Sequence, residues 1–588
     1  MKYMKLGTRP DTFFTQEATR SVSSDVPSDL TIQINNTTYL LHKFPLLPKC
    51  GLLQRLCSDG GDSDNCTIEL HEIPGGEEAF ELCAKFSYGI MINLSAHNFV
   101  AAICAAKFLR MTESIEKGNF ILKLEAFFDS CILQGWKDSI MALQTTGKLP
   151  EWSENIGILG RCVDAIVEKI LTPLSKVTWS YTYTRPGYAE KRHRSVPKDW
   201  WTEDISDLDI DLFRCVITAV KSAKKLPPPL IGEALHVYAS RWLPNASKGW
   251  APESSLTQNE ETAMKHRRVL ESIVSMIPSD RGSVSGGFVL RLLKVANLVG
   301  ASPSTKAELV RRSGRQLDEV TVSDILLPSY LSSNKSFYDV DLVGSILENF
   351  LVHFHRRGPP DNNKSMQSMF QVGRLIDSYL QVVARDANVP ASKIIALAEA
   401  LPEFARPKHD DLYKAIDIYL KDHPDLIKSE KKRLCRILDC QKLSPDICMH
   451  AVKNERLPLR TVVQVLFLEQ ERATRPSSRN PPHDHAMSGV LLSAGGHGEI
   501  EESIEEATVP GPNRRDPKKT KKPDTKTPEQ ARPNGSKRTV GRKHVMEMDK
   551  GREIIEEGGL DGNLGPKKME IKGRSTVGRG PKAGHKYD

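Results

Sequence analysis

The residues DLTIQINNTTYLLHKF, starting at Asp29, alternate apolar and polar side chains on either side of Asn35-Asn36. A period of two puts every second side chain on one face, and paired asparagines suit a tight turn, so this segment predicts a β-hairpin. The constraint is strong, because a lone hairpin cannot shelter its apolar face from water and needs further strands or helices against it. Those elements follow in order. FPLLPKCGLLQRLC carries Leu46, Leu47, Leu52, Leu53 and Leu56 at helical spacing. The acidic, glycine-rich SDGGDSDN leads into CTIELHEI, a further alternating strand. After Pro74-Gly75-Gly76, EEAFELCAKFSYG and AHNFVAAICAAKFLRM read as two helices, the first turning Phe80, Cys83, Ala84 and Phe86 toward a core. Residues 29–125 therefore predict a small α+β unit.

The hydrophobic period then changes. Residues 126–197 read as helical with short breaks, as in CVDAIVEKIL, and YTYTRPGYAEKRHRSVP marks an exposed basic boundary. PKDWWTEDISDLDIDLFRCVITAVKSA opens a long helical region over 198–473. Its apolar stretches, among them SGGFVLRLLKVANLVG and MFQVGRLIDSYLQVVARD, alternate with polar breaks but share no fixed repeat length, which predicts helix pairs side by side rather than a regular solenoid. The spacing of Asp204, Asp207, Asp209 and Asp211 suits a solvated helix face. Farther on, Leu412, Ala415, Ile416 and Tyr419 form one face, Pro424 interrupts, and Ser444-Pro445 supplies an N-cap and a first-turn proline.

Charge divides the chain again. The 82 Lys+Arg against 74 Asp+Glu give a net +8, but residues 511–588 hold 21 basic and 11 acidic side chains, leaving 61 and 63 for residues 1–510. The body is thus near neutral at −2, and the excess of +10 belongs to a tail whose one aromatic is Tyr587. Such a composition buries too little apolar surface to offset the entropy of ordering, so residues 474–588 are expected to be a disordered linker and basic tail. No apolar run reaches the roughly eighteen residues of a membrane helix, and MKYMKLGTRPDTFF lacks the apolar core of a secretory signal. The 11 cysteines are odd in number, lack any C-x-x-C pair, and fit reduced, buried thiols of a cytoplasmic protein.

Catalytic signatures are missing from the sequence: there is no phosphate-binding G-x-x-x-x-G-K-[ST] and no H-E-x-x-H, and GSVSGG from Gly282 reads as a polar helix start. Cys435, Cys440, Cys448 and His450 lie close together, but their spacing fits no common zinc finger and the cysteines sit within or beside helical stretches. The expectation is a non-catalytic protein with no cofactor and no metal.

The strand and helix order of residues 29–125 resembles the BTB/POZ domain, used for dimerisation and for docking partner proteins. The likeness rests on Asp29, His42-Lys43, CTIELHEI, AFELCAKFSYG, and the pattern of Ala105, Ala106, Leu109 and Met111. The opening MKYMKLGTRPDTF, VPKDWWTEDISDLDIDLF and NERLPLRTVVQVLFLEQ, with the segment from His409 to Ala473, resemble the plant non-phototropic-hypocotyl / root-phototropism family over about residues 1–473. Members place a BTB domain before an all-helical signature domain, which implies here an α+β BTB/POZ domain at 29–125, a helical connection at 126–197, a large all-α domain at 198–473 and a disordered basic C-terminal tail. Some relatives end in a coiled coil; this tail has no sustained heptads, which brings the chain nearer the subgroup associated with auxin-directed organ formation.

The resemblance implies a substrate-specific adaptor of a cullin-3 ubiquitin ligase, with a BTB homo- or heterodimer docking the cullin and the helical domain engaging a ubiquitination substrate. One departure bears on this. Cullin-binding BTB domains often carry an apolar-x-Glu motif before the strand that CTIELHEI resembles, and here that place holds Cys57-Ser58-Asp59-Gly60-Gly61. The competing reading is a plasma-membrane signalling scaffold that dimerises without directing ubiquitination; a BTB transcription regulator would need a DNA-binding module, and none is legible. Asp29 and His42 are expected to form a hydrogen-bonded structural pair and Lys43 a solvated surface charge. Tyr379 matches a tyrosine that the family resemblance marks as a phosphorylation position, yet Val372, Leu375, Ile376, Tyr379, Leu380 and Val383 make one apolar stripe, which places it in a core. The tail reads as a tether to an anionic membrane surface, a nuclear-import signal or a solubilising segment, with Thr539 and Thr576, in two copies of TVGR, as positions where phosphate would reduce its charge. Without stacking aromatics it is not expected to bind nucleic acid.

Overall fold

A computed structural model describes residues 2–59, 66–186, 195–245, 260–329, 336–356 and 363–474. The expectations for the tail, including Thr539 and Thr576, lie outside these residues.

Strand β1 (Tyr3–Leu6) is followed by β2 (Phe13–Gln16), β3 (Thr19–Val22), β4 (Leu30–Ile34), β5 (Thr37–Leu41), β6 (Cys66–Glu69) and β7 (Ile92–Ser95). The expected hairpin is β4–β5, antiparallel from Leu30 opposite Leu41 to Ile34 opposite Thr37, with Asn35 in the left-handed region at φ +49°. Its alternation has the anticipated cause: Leu30, Ile32, Ile34, Tyr39 and Leu41 are buried, while Gln33 points to water. β6 adds in parallel to β4, and β3 in parallel to β5, giving the order β2-β3-β5-β4-β6; β1 and β7 form a separate antiparallel pair. Three of these strands precede Asp29. The amino-terminal residues are therefore part of the sheet structure, a role that their four-residue strands did not reveal in sequence.

The helices Gly76–Ser87 and Phe99–Phe108 pack together beside this sheet. Phe80, Cys83 and Ala84 are buried as expected, and Tyr39 meets Phe80 edge-on at 4.9 Å between ring centroids. The second helix is buried on nearly every side, which explains its run of alanines and its lack of a polar face. Stacked pairs carry the core onward: Phe86 on Phe120 and Phe99 on Phe128, at 4.5 and 4.6 Å.

From Phe120 onward the described elements are helical, apart from an isolated bridge between Pro328 and Tyr338. Helices pair in the manner expected: Pro303–Arg315 packs on Gly286–Leu298 and on Val340–Arg356, and Asn363–Val383 packs on Asp410–Asp422. Ser285 caps the Gly286–Leu298 helix by accepting the Phe288 N–H at 3.2 Å, and Leu412, Ala415, Ile416 and Tyr419 share a buried face. Ser444 does occupy an N-cap position with Pro445 behind it, but its hydroxyl makes no cap bond; its N–H instead donates to Asp410 at 2.8 Å.

The solvated acidic face needs correction. Asp207, Asp209 and Asp211 are at or near the surface, whereas Asp204 is buried. Its carboxylate accepts the indole N–H of Trp136 at 2.7 Å and the Thr182 backbone N–H at 3.1 Å, partners far away in sequence that local spacing does not disclose. Around this bond Trp200 packs against Trp136, Trp179 and Tyr181, at centroid separations of 4.6, 5.5 and 5.6 Å.

Close helix packing is visible at Gly232, in the Pro228–Trp242 helix, where any Cβ would run into the Ser283 carbonyl oxygen; Gly344, also helical, has open space. Gly232→Ala should lose about 1–3 kcal/mol from overpacking, whereas Gly344→Ala should gain about 0.5–1 kcal/mol from helix propensity. Urea unfolding of both variants checks the pair; a neutral Gly232→Ala would mean that the two segments are not in contact.

Candidate functional site

At the start of the Lys43–Leu46 helix, the Asp29 carboxylate accepts the Lys43 backbone N–H at 2.7 Å. His42 is bonded elsewhere: its N–H donates to the Tyr88 hydroxyl at 2.8 Å, its Nδ1 lies 3.0 Å from that hydroxyl, and its Nε2 lies 3.0 Å from the Val26 carbonyl oxygen. A carbonyl only accepts, which assigns the proton to Nε2 and leaves Nδ1 to accept from Tyr88. Asp29 and His42 thus share a corner without bonding to each other, because each meets a different backbone segment. The Lys43 side chain is half-buried. Beside this corner Val26 and Phe44 present apolar side chains to solvent, Phe44 at 88% exposure.

Of the place aligned with the cullin-binding motif, Cys57, Ser58 and Asp59 end the Gly51–Asp59 helix, and Gly60 and Gly61 lie outside the described residues. Cys57 and Cys66 lie at the edge there with their sulfurs 3.2 Å apart, and all the cysteines of the chain are free thiols. Burial, reinforced by the neighbouring thiol, pushes Cys57 up to about 12, so it is a poor nucleophile at neutral pH.

In the helical domain the Asn363–Val383 stripe is buried throughout, and Tyr379 with it. Its hydroxyl has no hydrogen-bond partner among the described residues, and burial raises it well above the ordinary phenol range. Phosphate at Tyr379 would require opening of this helix from its neighbours. Two residues earlier, Asp377 meets Arg406: Nε donates to the carboxylate at 2.8 Å and Nη1 to the Ala398 carbonyl at 2.6 Å, with both side chains almost wholly buried. Burial outweighs the attraction of Arg406 and lifts the Asp377 carboxyl to about 6. Nearby His409 accepts the Asp439 N–H on Nδ1 at 3.1 Å, and burial, with Lys442 and Arg406 close by, lowers it to about 4. His409 is therefore neutral at physiological pH.

Cys435, Cys440 and Cys448 are buried, and burial pushes all three thiols up. The Tyr413 hydroxyl accepts from Asn454 at 3.2 Å and is hydrogen-bonded to Nδ1 of His450 at 2.7 Å. That ring nitrogen is already in use, and no group of metal-ligating side chains is found among the described residues. None of the described helices is long and apolar enough to cross a membrane. The last of them, Leu459–Thr474, instead exposes Leu459, Val463, Leu466 and Phe467, at positions that recur along one side of a helix. Val26 with Phe44 in the strand-rich unit and this last helix are thus both exposed apolar surfaces.

Arg406→Met would leave the Asp377 carboxylate buried without its cation, and should destabilise the chain by about 3–5 kcal/mol at pH 8. The raised carboxyl contributes most to stability below its unfolded value near 4, and that contribution is lost as pH rises through about 6. The penalty of the variant should therefore shrink on going from pH 8 to pH 5, as the carboxyl takes up a proton. Denaturant unfolding at both values measures this; equal losses would contradict it.

Comparison with known proteins places these features in a family. The family model described as NPH3 family matches residues 199–448. A BTB/POZ domain-containing protein of Arabidopsis thaliana is 56% identical over 88% of this chain and 97% of its own length. Phototropic-responsive NPH3 family protein NPY2 of the same plant is 41% identical over 85% of this chain and 81% of its own, and Root phototropism protein 3 is 37% identical over 79% and 76%. No solved structure matches the chain.

Proposed function

Because the chain belongs to the NPH3 family of BTB/POZ-domain proteins, we propose that it is a non-catalytic, substrate-specific adaptor of a cullin-3 ubiquitin ligase in plant phototropism- or auxin-type signalling. In this reading the strand-rich unit dimerises and docks the cullin, and the helical unit presents the target. The observation that carries it is the coexistence of two exposed apolar surfaces, at Phe44 and along the Leu459–Thr474 helix, on a chain with no legible catalytic signature. Exposed aromatic anchors of this kind supply much of the binding energy at protein interfaces.

The experiment is copurification of the full chain with cullin-3, with Phe44→Asp as the variant. Phe44 is almost wholly solvent-exposed, so the fold should be retained, while cullin-3 recovery should fall at least tenfold. A folded, dimeric chain that never recovers cullin-3 would leave the scaffold reading.

The charge division supports a second element, a peripheral location at the plasma membrane. An excess of +10 in residues 511–588 is ample for reversible attraction to anionic lipid, at about 1 kcal/mol per basic residue near the surface. A chain ending at residue 510 should lose binding to phosphatidylserine vesicles, and equal binding by both chains would remove the tether.

A further inference from the structure

The helices Pro303–Arg315, Val340–Arg356 and Asn363–Val383 border a cleft of about 340 Å³. Its lining includes Arg281, Arg315, His353, Lys364 and Ser365, against one carboxylate, Asp318. That carboxylate is already committed: it accepts from Arg281 Nη2 at 2.8 and 2.9 Å and from the Ser368 hydroxyl at 2.6 Å. Arg281 is shared between Asp318 and Glu319, the latter at 3.2 Å, and so adds no net positive charge to the cleft. The charges of Arg315 and Lys364 remain.

Neither of these two has an ion-pair partner among the described residues. Arg315 is also crowded by like charge, because Arg311 and Arg312 precede it on the same helix and both are bonded to the single carboxylate of Glu308. Burial first, then the neighbouring guanidiniums, push Arg315 below its ordinary value, and the more distant Glu308 carboxylate offsets this only in part. Lys364 and Ser365 lie at the start of the Asn363–Val383 helix, and its first turn carries no acidic residue. The positive end of the helix dipole therefore adds to the two cations rather than being offset. A planar guanidinium, an ammonium and a hydroxyl around one small space match a tetrahedral dianion, which a guanidinium binds through two parallel hydrogen bonds. The volume is at the lower end for small-ligand sites and far too small for a folded partner. Phe350 and Phe354, also in the lining, offer apolar surface to whatever carries the anion.

We propose that this cleft is a binding site for a phosphomonoester group, with Arg315 as its principal ligand and Lys364 and Ser365 as supporting ones. The same chemistry is presented by a phosphoserine side chain and by a small soluble phosphate, and the test separates these sources.

Calorimetric titration of the full chain uses inorganic phosphate, a phosphoserine peptide and its unphosphorylated counterpart. The expected result is saturable phosphate binding that weakens at least tenfold in Arg315→Met, weakens in part in Arg315→Lys and Lys364→Met, and is unchanged in Arg311→Met, whose side chain is committed to Glu308. Tighter binding of the phosphopeptide than of phosphate, with a silent unphosphorylated peptide, would assign the source to a phosphorylated segment; equal or weaker binding would assign it to a small soluble phosphate. Should Arg315→Met fail to fold, Lys364→Met carries the comparison, since Lys364 is exposed. Absence of saturable binding, or binding that neither Arg315→Met nor Lys364→Met weakens, would overturn the proposal.

Discussion

The hydrogen bond from the Trp136 indole to the buried Asp204 carboxylate joins parts of the chain that would otherwise be separate modules. Trp136 sits on a helix that follows the strand-rich unit, and Asp204 sits at the entrance to the helical signature region. Thr182, between them in sequence, donates its backbone N–H to the same carboxylate, so three segments converge on one acidic group. A buried carboxylate is costly unless its lone pairs are occupied, and here the occupants come from both sides of the junction. Trp200, packed on Trp136, Trp179 and Tyr181, keeps water from the bond. Relative movement at this seam would therefore expose several aromatic rings and strand a charge at once. The two units consequently behave as one body rather than as beads on a linker.

How much of this was legible depended on whether the cause was local. The β4–β5 hairpin was, because alternation and Asn35-Asn36 both act within a dozen residues. The buried stripe around Tyr379 was, because a 3.6-residue period needs no knowledge of the partner. β1 to β3 were not: each has four residues, their side chains are mostly half-exposed, and their pairing with β5 and β7 is set by tertiary contact. Asp204 was misread for the same reason. Its spacing to Asp207, Asp209 and Asp211 is that of a solvated face, and only a tryptophan dozens of residues earlier makes it a buried acceptor. Asp29 and His42 were expected to bond to each other and do not: their partners, the Lys43 N–H for the one and Tyr88 and Val26 for the other, follow from how the chain turns there.

The surface features divide along similar lines. Composition shows that the basic excess is in the tail, and so predicts a near-neutral body, but an average of −2 conceals local imbalance. In the helical domain half of the described arginines are answered by a nearby carboxylate, as Arg281 is by Asp318, and such exposed pairs contribute little to stability. Arg315 is one of the unpaired ones: Glu308 bonds Arg311 and Arg312 and attracts Arg315 only from a distance. No sequence pattern marks this, since the cleft is assembled from three helices.

The same domain hides charge where it would be least expected. Asp377 with Arg406, and neutral His409 one turn of chain away, occupy positions that well-packed apolar side chains could fill with equal or greater stability. Their hydrogen bonds are directional in a way that apolar contacts are not: Arg406 must meet both a carboxylate on the Asn363–Val383 helix and the Ala398 carbonyl, and His409 must meet the Asp439 N–H. In a stack of helices without a repeating sequence, apolar faces alone would tolerate sliding or rotation of one helix against the next. A buried bond permits only one register. These groups therefore specify the arrangement of helices more than they stabilise it, and the exposed apolar residues of Leu459–Thr474, at the end of that stack, inherit a fixed orientation from them.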